Sequence, residues 1–198
     1  MIHHPIGRII YGGLAAGVAI GIAGLAYLKT GSAWVFPIGL FMVCFFSLYL
    51  YTGRICYAKL EDTRDLILML LCNFIGAALV GIFAHFNYPE LVQKATELAA
   101  AKLNEGWWVI PRAILCNVMI FTAVHSWKTL SKPNDIIGLI FATAVFVMCG
   151  FEHCVANAFY FACAGTYEIG VIWFLLLNAL GNTIGGLAAY RSLKWYWG

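Results

Sequence analysis

Apolar and polar positions alternate along this chain in long blocks, and each apolar block is close to the length of a membrane span. A helix that crosses a bilayer needs about 20 apolar residues. Six such blocks run at about 9 to 28, 33 to 58, 65 to 86, 107 to 127, 135 to 163 and 169 to 190. The pattern therefore predicts an all-α integral membrane protein with six transmembrane helices. We expect residues 1–198 to form a single transmembrane domain.

Two of the blocks contain residues that disfavour an unbroken apolar helix. The second is interrupted by Tyr51-Thr52-Gly53-Arg54, and about 100 residues later the fifth is interrupted by Gly150-Phe151-Glu152-His153. The third and sixth blocks share an Asn-x-Ile-Gly-small pattern, which starts at Asn73 and again at Asn182. These correspondences predict two inverted three-helix repeats, about 9–88 and 107–197, whose second and fifth helices break and face a pathway.

Small residues recur along the first apolar block. Gly12, Gly13, Gly17, Gly21 and Gly24 are close enough in sequence to form a stripe along a helix. Such stripes let helices approach closely in lipid. The stripe indicates either packing within one subunit or an interface between subunits, and the sequence leaves both open.

Composition supports a membrane location. The chain is 63% hydrophobic and only 11% charged, whereas soluble domains are about 25% charged. Six spans place both termini on one side of the membrane, together with most of the cations. Those on the termini side are Arg8, Lys59, Arg64, Lys128, Lys132, Arg191 and Lys194. The positive-inside rule then predicts a multi-pass protein of the inner (cytoplasmic) membrane with both termini cytoplasmic.

Neither the cysteines nor the net charge predicts a bound partner of another kind. The seven cysteines show no Cys-x-x-Cys spacing and fall in apolar runs, which is typical of small buried residues rather than disulfides or metal ligands. The net charge of +3 is small. We therefore predict no metal, no cofactor and no nucleic-acid partner.

The strongest functional candidate is the pair Glu152 and His153. Both lie inside the otherwise apolar run 136–164, and ionisable residues at that depth are expected to face protein or a water-filled path. A buried neutral imidazole exchanges protons near physiological pH. The alternative is a structural histidine whose tautomer Glu152 fixes. We expect Glu152 to point away from the path and hold the loop, with Asn157 one helical turn later.

Three further polar residues are candidates. Thr52 offers a hydroxyl at the first break, either to an imidazole or anion or merely as a turn residue. Arg54 either extends toward the interface, caps broken-helix carbonyls or touches substrate. Lys102 is expected in an outer vestibule, where its charge either attracts anions or is simply solvated.

Several segments resemble one known family. Pro111 to Asn117, Gly150 to Asn157, Leu180 to Gly186 and the Leu50-Tyr51-Thr52-Gly53 break are similar to the formate/nitrite transporter family, which includes hydrosulfide channels. The resemblance covers the chain from about residue 9. The Phe-Glu-His-x-x-x-Asn segment inside a span is its most specific motif.

The resemblance implies a homopentamer in which each subunit has its own pore and an aquaporin-like helical arrangement. It assigns the central histidine to His153, the loop threonine to Thr52 and the vestibule lysine to Lys102. Asn117 and Asn157 correspond to the asparagines that flank the central chamber. The two apolar constrictions correspond to Leu40, Leu50 and Tyr51 on the cytoplasmic side, and to Phe36, Ile120 and Phe146 on the outer side. Tyr51 and Arg54 depart from the family pattern, in which phenylalanine and a small or neutral residue are expected.

Together, these expectations predict a membrane channel or transporter for small monovalent anions of weak acids. A bare anion loses its hydration when it enters an apolar constriction, and this desolvation costs far more free energy than desolvation of the neutral acid. We expect the anion to gain a proton from water or through His153 and to cross as the acid, with protons and the lipid bilayer as the other partners. Formate is expected first, with nitrite and hydrosulfide as alternatives. No other bond of the substrate changes, so the chain is not expected to be an enzyme.

Proteins of other classes fit the residues less well. A membrane-embedded oxidoreductase subunit would need paired histidines for haem, and only His153 lies in mid-span. An aquaporin-type channel would carry Asn-Pro-Ala breaks, which the sequence lacks. A purely structural membrane module leaves the Glu152 and His153 pair unexplained.

Overall fold

The computed structural model describes residues 5–198, and these residues form helices and connecting segments with no β-strand. Within this described range, nine α-helices are joined by loops and short 3₁₀ turns. The helices are α1 (Ile6–Thr30), α2 (Pro37–Phe45), α3 (Tyr51–Arg54), α4 (Thr63–Asn87), α5 (Pro89–Leu103), α6 (Val109–Thr129), α7 (Asn134–Met148), α8 (Cys154–Ala164) and α9 (Ile169–Trp197). The prediction of an all-α protein is confirmed for this part of the chain.

Four helices, α1, α4, α6 and α9, are long and apolar enough to cross a membrane. They match the first, third, fourth and sixth predicted blocks. Their outward faces carry large apolar side chains, as on α4, where Ile75, Leu79, Phe83 and Phe86 are all exposed. An apolar exterior of this kind is expected of a protein surrounded by lipid. The second and fifth blocks instead form shorter helices.

Glycines allow the long helices to pack closely in pairs. α1 packs on α4, and α6 packs on α9. A Cβ atom on Gly17 would collide with the backbone of Asn73, and one on Gly185 would collide with the backbone of Ile114. Helices can approach this closely only where no side chain intervenes. Much of the glycine stripe of α1 therefore packs against α4 within the same chain.

The fifth block breaks where the sequence predicted it. α7 ends at Met148 and α8 begins at Cys154. Gly150 adopts a left-handed backbone with φ of 64°, which glycine tolerates better than other residues. The chain then turns into α8, whose residues Cys154 to Cys163 are all buried. α8 packs against α4 and α5, and it positions the candidate site from inside the protein.

The second block breaks a few residues before the predicted site. Tyr51–Arg54, expected to be the interruption, is the short helix α3, and the non-helical segment is Phe46–Leu50. α2 ends because Ser47 takes a left-handed backbone, with φ of 54°, and the Leu48 N–H returns to the Val43 carbonyl at 2.8 Å. The prediction placed the break at Tyr51 to Arg54, and it was wrong because these residues form α3.

Candidate functional site

His153 lies at the junction between the broken segment and α8. Its side chain is only 2% exposed. Nδ1 accepts a hydrogen bond from the Ala156 backbone N–H at 3.2 Å, which makes His153 the N-cap of α8. Nε2 lies 2.9 Å from the Thr52 hydroxyl oxygen. Helix α3, which follows the first break, therefore meets the second break at the contact between Thr52 and His153.

These two contacts determine the tautomer of the imidazole. Because Nδ1 accepts from a backbone N–H, the proton of the neutral ring is on Nε2, and Nε2–H donates to Thr52 Oγ1. A proton on Nδ1 would face another N–H donor and break the cap. The arrangement therefore stabilises the neutral ring. Phe146 stacks beside it, with ring centroids 5.9 Å apart.

Glu152, next in the chain, forms a buried ion pair with Lys102. The ammonium nitrogen of Lys102 lies 2.7 Å from each carboxylate oxygen. Asn157 Nδ2 also donates to Glu152 at 2.6 Å. Sequence reasoning treated Lys102 as a separate charge in a vestibule, but the structure pairs it with the carboxylate that was expected to hold the loop. The pair has no net charge when both groups are ionised.

A small cavity of about 80 Å³ is lined by both Lys102 of the ion pair and the imidazole. Its walls include Lys102, His153 and Asn157 together with Phe36 and Phe146. The rings of Phe36 and Phe146 meet edge to face, with centroids 5.6 Å apart. Two of the three residues assigned to the outer constriction thus border the cavity that contains the candidate histidine.

A second cavity, of about 260 Å³, includes two residues assigned to the other constriction. Leu40 and Leu50 line it, and both are about 1% exposed. Tyr51 and Ile120, also assigned to constrictions, are buried but line neither cavity. The Tyr51 hydroxyl lies 2.6 Å from Thr183 Oγ1 on α9. The family pattern has phenylalanine at this position, which carries no hydroxyl. In this chain the additional hydroxyl of Tyr51 contacts α9.

Comparison with known proteins identifies the family of this arrangement. A family model described as "Formate/nitrite transporter" matches residues 1–196. The chain belongs to the formate/nitrite transporter family. It is therefore a multi-pass membrane transport protein, and the prediction that it is not an enzyme is confirmed.

Individual members of the family are similar over different parts of their length. A probable formate transporter of Methanothermobacter thermautotrophicus is 31% identical, over 97% of this chain and 89% of that protein. The formate channel FocA of Haemophilus influenzae is 30% identical over 74% of this chain, and the match spans 63% of that protein's length.

Solved structures of the formate/nitrite transporter fold superpose on most of the chain. A pentameric formate channel with formate bound gives a TM-score of 0.84 at 22% identity, covering 97% of this chain and 96% of that one. An FNT family ion channel gives a TM-score of 0.88 at 19% identity, covering 96% and 90%. At these identities the likeness concerns the fold.

The two asparagines of the repeated pattern have matching roles in this family member. Asn73 Oδ1 accepts from the Tyr51 N–H, and its Nδ2 donates to the carbonyls of Gly13 and Tyr49. Asn182 Oδ1 accepts from the Cys154 N–H, and its Nδ2 donates to the carbonyls of Ala113 and Glu152. Each asparagine therefore satisfies backbone groups that a broken helix leaves unpaired. Sequence reasoning noticed the repeat but assigned it no structural role.

Asn117 is the other asparagine that bears on the site. Its Nδ2 donates to the Thr52 carbonyl at 3.1 Å, so it supports the residue that contacts His153. Its Oδ1 is buried and has no partner among residues 5–198. Asn117 Oδ1 therefore remains a free hydrogen-bond acceptor next to α3, among the described residues.

A second ion pair lies at the Lys102 end, just before α6. Glu105 Oε1 is 2.6 Å from Arg112 Nη1, and the side chain of Glu105 is 13% exposed. Burial, followed by the nearby Glu152 carboxylate, raises the pKa of Glu105, and the cations Arg112 and Lys102 counteract only part of that rise. The only sign of this pair in the sequence is a charge near the start of the fourth block.

Proposed function

We propose that this protein is a channel for small monovalent anions of weak acids, with formate as the first substrate to test. Nitrite and hydrosulfide are alternatives in the same family. The observation that carries the proposal is the 2.9 Å contact between Thr52 and His153. It puts one buried imidazole beside a cavity whose other walls include Phe36 and Phe146.

The proposed fold behind this function has six spans in two inverted repeats, resembling the arrangement of aquaporins. In it, α2 with α3 and α7 with α8 are the broken second and fifth spans. The equivalent contacts of Asn73 and Asn182 support this assignment, as do the packed pairs α1 with α4 and α6 with α9. Broken spans that meet near the midplane are typical of transport proteins built from inverted repeats.

Apolar constrictions would make protonation necessary for passage. An anion that enters between apolar side chains loses its water, and an isolated charge is far more costly to desolvate than a neutral polar molecule. Uptake of one proton removes that cost for a monovalent weak acid. We therefore propose that Phe36 and Phe146 at one end, and Leu40 and Leu50 at the other, pass the acid and hold back the anion.

The contacts of His153 favour water as the source of the proton. Nδ1 is occupied by the Ala156 N–H, so the ring cannot take up a proton there as it releases one from Nε2. The neutral ring can still act as a hydrogen-bond donor. Its Nε2–H group, which contacts Thr52 in this structure, can instead donate to an oxygen of an entering substrate. In this mechanism His153 orients the substrate, and a proton that enters with water neutralises it.

Lys102 and Glu152 would act together at the approach to His153. Because their charges cancel, the pair would not trap an anion strongly, yet the lysine would still offer hydrogen bonds to an entering oxygen. Asn157 anchors the carboxylate from the other side. We propose that this arrangement admits anions without binding them so tightly that flux stops.

Assembly and orientation also belong to the proposal. We propose a homopentamer with one pathway in each subunit, in the inner (cytoplasmic) membrane. A solved structure with the same fold is a pentameric formate channel. Cations at the Lys59, Arg64 and Lys128 end support cytoplasmic termini by the positive-inside rule.

A flux assay in proteoliposomes tests the function. Liposomes containing the protein are exposed to formate, nitrite or hydrosulfide gradients at two pH values, and internal pH and anion content are recorded. We expect protein-dependent entry of the anion together with one proton, faster at the lower pH. Formate entry at the rate of protein-free liposomes, or entry of charge without a proton, would overturn the proposal.

A further inference from the structure

The larger cavity, beside Leu40 and Leu50, contains a charge pattern that passage of a monovalent acid does not require. Arg54 and Lys128 both line it. The rest of its wall is apolar apart from Ser47 and Cys44, and no carboxylate belongs to it. Two positive charges thus border one cavity of about 260 Å³.

Neither cation is neutralised by a close acidic partner. Over residues 5–198, no carboxylate lies within 4.0 Å of the charged nitrogens of Arg54 or Lys128. Each instead lies over an aromatic ring, with Arg54 Cζ 4.5 Å from the centre of Tyr49 and Lys128 Nζ 3.8 Å from the centre of Tyr57. Cation–π contacts restrain a charged group, and the N–H donors that do not face the ring stay available. Both groups remain able to bind an anion.

Carboxylates lie on the other side of the two cations. Asp62 and Asp65 line a neighbouring cavity of about 200 Å³, which Arg54 and Lys128 also border. Asp62 is partly engaged by the Lys59 backbone N–H at 2.9 Å. These carboxylates reduce the positive potential of the region, but among the described residues the charged groups that line the cavity next to Leu40 and Leu50 are both cations. An anion would therefore bind in that cavity.

We propose that Arg54 and Lys128 form a binding site for a small oxyanion with two negative charges, such as inorganic phosphate, and that the bound dianion obstructs the passage. Two cations match two charges, and the guanidinium group of Arg54 can bind two oxygens side by side. The obstruction rests on the proposed function, whereas binding does not depend on it.

The desolvation cost that a monovalent acid avoids by protonation still prevents a dianion from crossing. A monovalent anion becomes neutral with one proton, but a dianion that gains one proton still carries a charge. It must then cross Leu40 and Leu50 as an ion, which is far more costly. The dianion would remain at the mouth and occupy the space that a substrate anion needs. Phosphate on the Arg54 side would thus slow formate flux without being transported.

Binding is measured first, by isothermal titration calorimetry of the detergent-solubilised full chain with inorganic phosphate, at a pH where most of it is dianionic. Chloride at equal ionic strength is the reference. We expect R54Q and K128Q each to weaken phosphate binding by about tenfold or more, and R54K to weaken it less. K59Q is the matched control, because Lys59 is an exposed cation at the same end that does not line the cavity. Equal binding by wild type, R54Q and K128Q, or no binding by wild type, would overturn the site.

Obstruction is then measured in proteoliposomes by formate flux with phosphate on one side or the other. We expect phosphate on the Arg54 side to slow wild-type and K59Q flux several-fold, and R54Q and K128Q to be much less affected. Equal inhibition of all four proteins, or entry of phosphate itself, would overturn the obstruction. If the wild type carries no formate, the proposed function fails and the obstruction with it, while the calorimetry still decides the site.

Discussion

Lys102 and Glu152, 50 residues apart in the chain, form a two-oxygen ion pair in which the lysine nitrogen is 2.7 Å from each carboxylate oxygen. The side chain of Lys102 is 10% exposed and that of Glu152 is 3% exposed. This pair lies beside the broken segment and reaches the cavity of His153. The lysine that lines this cavity is therefore already paired with a carboxylate.

Removal of one partner of this pair is expected to be costly. K102A leaves the Glu152 carboxylate buried with only Asn157 as a side-chain partner, and an unpaired buried charge typically costs about 3–5 kcal/mol. We expect a marked drop in the thermal unfolding temperature in detergent, measured by fluorescence. The double variant K102A/E152A should recover much of the loss, because it leaves no unpaired charge.

The control for this variant is K94A on the same helix. Lys94 is exposed, so its removal should change stability by less than about 0.5 kcal/mol. If K102A were as stable as K94A, the ion pair would not contribute to the fold as described.

H153N separates the capping role of His153 from its role toward substrate. Asparagine is a good N-cap, so its Oδ1 can replace Nδ1 as acceptor of the Ala156 N–H and keep α8 in place. It has no imidazole for the contact with Thr52. Because His153 is proposed to orient the substrate through its Nε2–H donor, we expect a folded protein whose formate flux in proteoliposomes is strongly reduced at every pH.

H153A is the comparison, since it also removes the cap and should lose about 1 kcal/mol of stability more than H153N. Formate flux in H153N equal to that of the wild type would contradict a role for the imidazole in transport.

Three asparagines of the long helices should respond very differently to replacement by leucine. N73L and N182L each remove three hydrogen bonds to buried backbone groups, and each backbone group left unpaired costs about 1–3 kcal/mol. Asn178, one turn before Asn182 on α9, is fully buried, but neither of its side-chain polar atoms has a partner among the described residues. N178L should therefore be neutral or stabilising.

The measurement is the unfolding temperature of the three variants in one detergent. The expected order is N178L at or above wild type, with N73L and N182L well below it. Similar losses in all three would mean that leucine is poorly accommodated in these helices whatever the hydrogen bonds.

The raised pKa of Glu105 predicts that the stability of the protein depends on pH. Burial raises its pKa in the folded protein above the ordinary value of 4.5, so the folded protein binds this proton more tightly than the unfolded chain does. The resulting contribution to stability is therefore fully present below the unfolded value and is lost as the pH rises through the folded value.

The test of this linkage is the difference in unfolding temperature between wild type and E105Q across the acidic range. We expect wild type to lose stability relative to E105Q as the pH rises above 4.5. A difference that stays constant with pH would contradict the raised pKa, and a difference of opposite sign would mean that Arg112 dominates.

The sequence by itself determined the membrane class and the second of the two helix breaks. Block length and hydrophobicity are local properties, so α1, α4, α6 and α9 could be predicted within a few residues, apart from the longer C-terminal end of α9. Gly150 indicated the break before α8, because only a local backbone preference was needed. The same reasoning misplaced the first break at Tyr51 to Arg54, whereas the chain breaks at Phe46–Leu50, where Ser47 takes the left-handed conformation. There the backbone of Tyr49 donates to Gly12 on α1, a contact that no local pattern contains.

Only the tertiary structure decided which polar groups meet. The sequence named Thr52, Lys102, Glu152 and His153 and offered an imidazole as one of several partners for Thr52. It did not pair Lys102 with Glu152, 50 positions away. Their pairing depends on how α5 and α8 pack and on where each broken segment ends. The tertiary structure therefore decided that the lysine is neutralised by a carboxylate and that the imidazole has its proton on Nε2. Hydrophobic periodicity selects which segments enter the membrane, whereas hydrogen bonds and charges act over a few ångströms and depend on the final packing.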